Sequence, residues 1–138
     1  MRLLGLDIGE RRIGVAISDP EGIIAIPLTQ ISRKGERADL EAILDLTRQH
    51  EVGGIVIGMP YSLDGRVGKQ AEQVQDFVKK LSQCTELPIE TWDERLSTVA
   101  AEKGMREAGL KRGGKEKVDA LAAAFILQGY LDRMHPSE

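Results

Sequence analysis

The chain opens on short apolar runs divided by polar turns, and only later adopts a helical rhythm. Leu3 to Ile8, Ile13 to Ser18 and Gly22 to Ile31 are rich in Ile, Val and Leu, with Gly9-Glu10-Arg11-Arg12 and Asp19-Pro20-Glu21-Gly22 between them. That pattern predicts a three-stranded antiparallel meander. From Glu36 to Glu51, Leu40, Ile43, Leu44 and Thr47 recur at helical spacing, and Ile55-Val56-Ile57 after Gly53-Gly54 has the unbroken apolar character of a strand buried on both faces. Val67 to Ser82 repeats the helical period through Val74, Phe77, Val78 and Leu81. Pro88 to Trp92 reads as a fifth strand, and Thr98 to Ala108 and Glu116 to Arg133 as helices. The order is βββαβαβαα. A meander followed by right-handed αβ crossovers predicts an α/β fold, a mixed five-stranded sheet with helices on both faces. Arg33 to Arg37 and Gly109 to Lys115 read as flexible linkers.

A length of 138 residues fits a single domain, 1–138, able to bury a core without a disulfide or structural metal. The lone Cys84 has no partner for an internal disulfide and no zinc-ligand spacing around it. The N-terminus runs straight into a strand pattern with no signal-peptide core, and no apolar run approaches the ~20 residues of a membrane helix. The expectation is a cytoplasmic protein with no membrane role.

Charge alone does not advertise a nucleic-acid partner, because 19 basic residues face 22 acidic ones. Its distribution is more telling. Between Lys103 and Lys117 six basic residues stand against two acids on a Gly-rich stretch, which makes Lys111, Arg112, Lys115 and Lys117 candidate phosphate contacts. The same stretch also reads as a solvated helix end.

Three acids attract attention by position. Asp7 ends what should be a central strand. Asp119 opens Asp119-Ala-Leu-Ala-Ala-Ala-Phe-Ile-Leu127, with Ala122, Ala123 and Ile126 on its own helical face. A carboxylate buried there without a partner costs several kcal/mol, roughly, whereas a nearby cation removes the problem. Asp93-Glu94 follow the fifth strand and point to opposite sides of the sheet if strand geometry persists, so one of them faces the site. Glu94 is the choice and Asp93 the alternative, since Asp93 also suits a helix cap paired with Arg95. Converging carboxylates repel one another unless a hard cation with oxygen ligands sits among them, which implies Mg²⁺ or Mn²⁺.

Taken together, Gly5-Leu-Asp7-Ile-Gly9 with Arg12-Ile-Gly-Val-Ala-Ile-Ser-Asp19, Ile57-Gly-Met-Pro60 with Leu63-Asp-Gly65, Asp93-Glu-Arg-Leu-Ser-Thr98, and Lys117-Val-Asp119-Ala-Leu-Ala-Ala123 with Ile126-Leu-Gln128 resemble the YqgF family, also called RuvX. The four blocks run in order up to about Asp132. The resemblance implies a ribonuclease H-like fold related to RuvC junction resolvases, and a metal-dependent nuclease processing the 5′ end of pre-16S ribosomal RNA. The family's acids fall on Asp7, Glu94 and Asp119. One departure from the resolvase relatives stands at Gly58-Met59-Pro60, where they carry an acid.

The implied chemistry is two-metal hydrolysis, with Asp7 bridging the ions, Glu94 and Asp119 completing their shells, and Arg11, Arg12 and the Lys111 to Lys117 segment holding phosphates. Tyr61 or Trp92 could stack on a base, though either also suits a core. Other readings are a Holliday junction resolvase acting on branched DNA, a non-catalytic RNA-binding factor, and, from the Asp7-Ile-Gly9 turn, a phosphate-handling ATPase. The ATPase fold needs two such domains. The sequence leaves open RNA against DNA, the cleavage position and the oligomeric state.

Overall fold

The computed structural model describes residues 1–62, 64–96 and 115–135. Five strands, β1 (Leu3–Ile8), β2 (Arg12–Ser18), β3 (Ala25–Ser32), β4 (Gly54–Met59) and β5 (Ile89–Asp93), form one sheet in the order β3-β2-β1-β4-β5. The meander β1-β2-β3 is antiparallel, and β4 and β5 extend it in parallel from the other side of β1. Helices α1 (Glu36–Gln49) and α2 (Lys69–Cys84) provide the crossovers, and α3 (Lys115–Met134) follows.

Strand alternation sorts the sheet into two faces. Leu4, Leu6 and Ile8, with Ile13, Val15, Ile55 and Ile57, pack under the apolar stripes of α1 and α2. On the opposite face Ala16, Val56 and Trp92 meet Ala123, Ala124, Ile126 and Leu127 of α3. This second face is lined with small residues, so α3 lies close against it. A β-carbon on Gly5 would stand 2.7 Å from Cβ of Leu127 and 3.1 Å from the carbonyl oxygen of Ala123.

Element boundaries shift from the sequence expectation for local reasons. The third strand starts at Ala25 rather than Gly22, because the Asp19 carboxylate accepts the N–H groups of Ile23 and Ile24 at 2.7 and 2.8 Å in a turn. Helix α1 stops at Gln49, where the Val52 N–H turns back to the Thr47 carbonyl at 2.9 Å and Glu51 takes a positive φ of 53°. The stretch from Arg33 is no flexible linker. The buried Asp39 carboxylate accepts Arg33 Nε at 3.1 Å and the Lys34 N–H at 3.0 Å, and Glu36 already begins α1. The helix expected over Thr98 to Ala108 and the linker at 109–114 lie outside the described residues. Among the described residues no helix is long and apolar enough to cross a membrane.

Candidate active site

Asp7 sits near the C-terminal end of the central strand, on the face that carries α3. Its partner across β2 is Gly14. On the other side β1 and β4 are in register through Leu6 and Ile57, so the next β4 residue alongside Asp7 is Gly58. Asp7 is therefore flanked by two glycines, and on each flank another element moves into the space that a side chain would fill. Over Gly14 lies the main chain of Asp119, whose carbonyl oxygen overlaps any β-carbon placed there. Over Gly58 lie Ile126 and Glu94, with Cγ of Glu94 only 3.2 Å from a β-carbon built on that glycine.

These contacts gather Asp7, Asp119 and Glu94 around one strand end, Asp119 approaching from the β2 side and Glu94 from the β4 side. Among the described residues no group of three His, Cys, Asp or Glu side chains is poised to hold one ion. Asp119 is engaged by Arg12, whose Nε stands 3.0 Å from Oδ2. All three acids offer oxygen alone, the donor atom that hard divalent cations favour.

Asp93 takes a different role. Trp92 faces α3, so Asp93 faces away, and its carboxylate accepts Arg95 Nε at 3.0 Å and Nη2 at 2.5 Å as well as the Arg95 N–H at 3.0 Å. This contact starts the 3-10 turn Glu94–Leu96, and the Arg95 side chain holds the Asp93 carboxyl below its ordinary value. The Arg95 guanidinium also lies 5.6 Å over the Tyr61 ring. Trp92 belongs to the core. It is 9% exposed, meets Tyr130 edge-on at 6.2 Å, and its Nε1 would be 3.0 Å from a β-carbon on Gly129.

Arg11 is exposed at the β1-β2 turn. Lys111 and Arg112 lie outside the described residues, as do the side chains of Lys115 and Lys117 at the start of α3. Arg33 has a part that its sequence context did not signal. Its Nη1 donates to the Gly9 carbonyl at 2.9 Å, its Nε pairs with Asp39, and its guanidinium lies 5.5 Å over Phe77, fixing the turn between Asp7 and Arg12 to α1 and α2. The available signal was Asp39 itself, an acid four residues before Ile43 on the buried face of α1. Beside Arg33 a cavity of about 380 Å³ lined by Gly9, Glu10, Gln73 and Phe77 includes none of the three acids.

A mixed sheet in this order, with helices on both faces, is the ribonuclease H-like fold of junction resolvases. Thermus thermophilus RuvC in complex with Holliday junction substrate superposes with a TM-score of 0.65 at 13% identity, over 99% of this chain and 97% of that one. Fowlpox virus resolvase, in complex with substrate Holliday junction DNA, does so at 0.59 and 10% identity, over 97% and 99%. These likenesses establish the fold. The chain belongs to the RuvX family, whose model, described as Holliday junction resolvase, matches residues 1–133. A Clostridium kluyveri relative named "Putative pre-16S rRNA nuclease" is 50% identical over 135 residues, 97% of this chain and 98% of its own. A Clostridium botulinum relative of the same name is 49% identical with the same coverage.

Proposed function

We propose that this protein is a cytoplasmic, divalent-cation-dependent endonuclease that hydrolyses phosphodiester bonds at the 5′ end of pre-16S ribosomal RNA. The observation that carries the reading is the glycine flanking of Asp7, which lets Asp119 and Glu94 approach the same strand end from either side. Asp7 is the central ligand, between Asp119 and Glu94. When bound, Mg²⁺ or Mn²⁺ supplies an activated water and neutralises charge on the departing 3′ oxygen. Arg11, Arg12 and the Lys111 to Lys117 segment hold flanking phosphates.

Precursor RNA is preferred over branched DNA because the relatives at 49–50% identity carry the ribosomal name. The exit of β4 supports the same choice, since Gly58-Met59 offers no acid there. Junction resolution is retained as the second reading on the strength of the family description.

The test is cleavage of labelled pre-16S RNA and of a four-way junction in Mn²⁺, with Asp7→Asn beside wild type. RNA cleavage should fall by about 100-fold or more in the variant while RNA binding survives. Equal slow cleavage by both proteins would leave a binding factor, and cleavage confined to the junction would select the second reading.

A further inference from the structure

Two arginine-aspartate pairs flank the β1-β2 turn, and they differ in kind. In the first, Asp39 is 2% exposed and its pairing with Arg33 closes a buried corner. In the second, Arg12 and Asp119 stand 43% and 30% exposed, with the 3.0 Å contact reached from the rim of the sheet. Arg12 shares its face of β2 with Gly14, two residues on, and Gly14 lies beneath the main chain of Asp119. Strand and helix thus bring the guanidinium to the Asp119 carboxylate, whose main chain lies over the strand partner of Asp7. The main chain of Arg12 is held in place by the Gly9 N–H bond to its carbonyl at 2.9 Å, so only the side chain needs to move.

We infer that Arg12 is an exchangeable latch: it holds Asp119 while the site lacks a cation, yields that carboxylate when a divalent cation binds, and then turns to a phosphate of the substrate. This rests on the reading of Asp7, Glu94 and Asp119 as the metal-binding acids. A guanidinium and a hard cation compete for the same oxygens. Partial exposure makes the exchange inexpensive, because water solvates the guanidinium as it lets go. Carboxylate and phosphate are interchangeable partners for the guanidinium fork, so the released side chain is suited to the incoming strand. Cation and nucleic acid then assist each other, as linkage requires.

The experiment measures Mn²⁺ affinity by calorimetric titration, without nucleic acid, for wild type, Arg12→Gln, Arg11→Gln and Asp7→Asn. Arg12→Gln should bind Mn²⁺ about 2- to 5-fold more tightly than wild type, the effect expected for a partly exposed ion pair. Arg11→Gln removes equal charge one residue away and should change affinity less. In a second arm a precursor-RNA fragment is titrated in EDTA and in Ca²⁺. The gain in RNA affinity on adding Ca²⁺ should be smaller in Arg12→Gln than in wild type. Equal Mn²⁺ affinities in the two arginine variants would reduce the effect to general charge and overturn the latch. Weaker Mn²⁺ binding by Arg12→Gln would make Arg12 a support for Asp119, and overturn it too. If wild-type Mn²⁺ binding is untouched by Asp7→Asn, the metal site itself is wrong and the latch goes with it.

Discussion

The carbonyl oxygen of Asp119 rests over Gly14 so closely that no β-carbon fits between helix and strand. That contact sets the height of α3 above the sheet and with it where Asp119 stands beside the strand partner of Asp7. Because the colliding atom is main chain, side-chain rotation cannot relieve it. Gly14→Ala should lift the start of α3 and destabilise the protein by about 1–3 kcal/mol or more, the range of core overpacking. A urea melt measures the loss of stability. Mn²⁺ titration reads the consequence of lifting α3, and unchanged affinity in a folded Gly14→Ala protein would separate the helix position from the site.

Gly58 offers a matching test on the other flank. A β-carbon there meets Cδ1 of Ile126 at 2.5 Å and Cγ of Glu94 at 3.2 Å, the nearest atom being the far end of a side chain and not main chain as at Gly14. Gly58→Ala should therefore cost less stability than Gly14→Ala while still moving Glu94. Cleavage should drop more than the melting temperature does. A variant that cleaves at the wild-type rate would argue that Glu94 does not need its present position.

Much of this arrangement was legible in the sequence because it follows from periodicity. Alternation through Leu4, Leu6 and Ile8 identifies β1 as a core strand and puts Asp7 on the opposite face, and the alanines after Asp119 announce a helix that packs close. The face glycines Gly14 and Gly58 were visible as residues, but their meaning depends on strand register, a property of pairs of segments. Arg33 was hidden for the same reason. Its partners Gly9, Asp39 and Phe77 come from three different elements, and no local spacing predicts their meeting. Likewise the capture of Asp93 by Arg95 was one of two open readings until the direction of Trp92 fixed which face each acid takes.

The Arg33-Asp39 pair should behave as a buried charge whose partner cannot be removed alone. Arg33→Met leaves the Asp39 carboxylate with the Lys34 N–H and little solvent, and should cost about 3 kcal/mol, as broken buried pairs do. Adding Asp39→Leu should recover much of that loss. Chemical denaturation of both single variants and the double variant gives the coupling, and additive losses would mean that the pair contributes no specific stability.

Stability should fall away in acid for an identifiable reason. The N–H groups of Ile24 and Ile23 hold the Asp19 carboxyl below its ordinary 3.8, and the Arg95 side chain does the same for Asp93. A depressed carboxyl contributes stability that is complete above its unfolded value and is lost as pH falls through the folded one. The wild-type advantage over Asp19→Asn and Asp93→Asn should thus be full at pH 7 and shrink below about pH 4. Thermal melts at pH 7, 4 and 3 check this, and a difference that grows toward acid would reverse the assignment.

Affinity for nucleic acid in a chain with 22 acidic and 19 basic residues has to come from local clusters. Lys111, Arg112 and Lys115 form one such cluster in the sequence, running into the first residue of the helix that carries Asp119. Replacing all three by Ala should weaken precursor-RNA binding and also flatten its dependence on salt. Each phosphate that is no longer neutralised by a cationic side chain takes about 0.7 off the magnitude of the log-log slope on single strands and about 0.9 on a duplex. Three such phosphates would lower the slope by about 2 or more. The measurement is a binding titration at several salt concentrations in EDTA, where no cleavage interferes and the Arg12 latch is closed. Weaker binding with an unchanged slope would mean that the segment acts through shape or folding, and an unchanged affinity would show that it is solvated and does not touch the substrate.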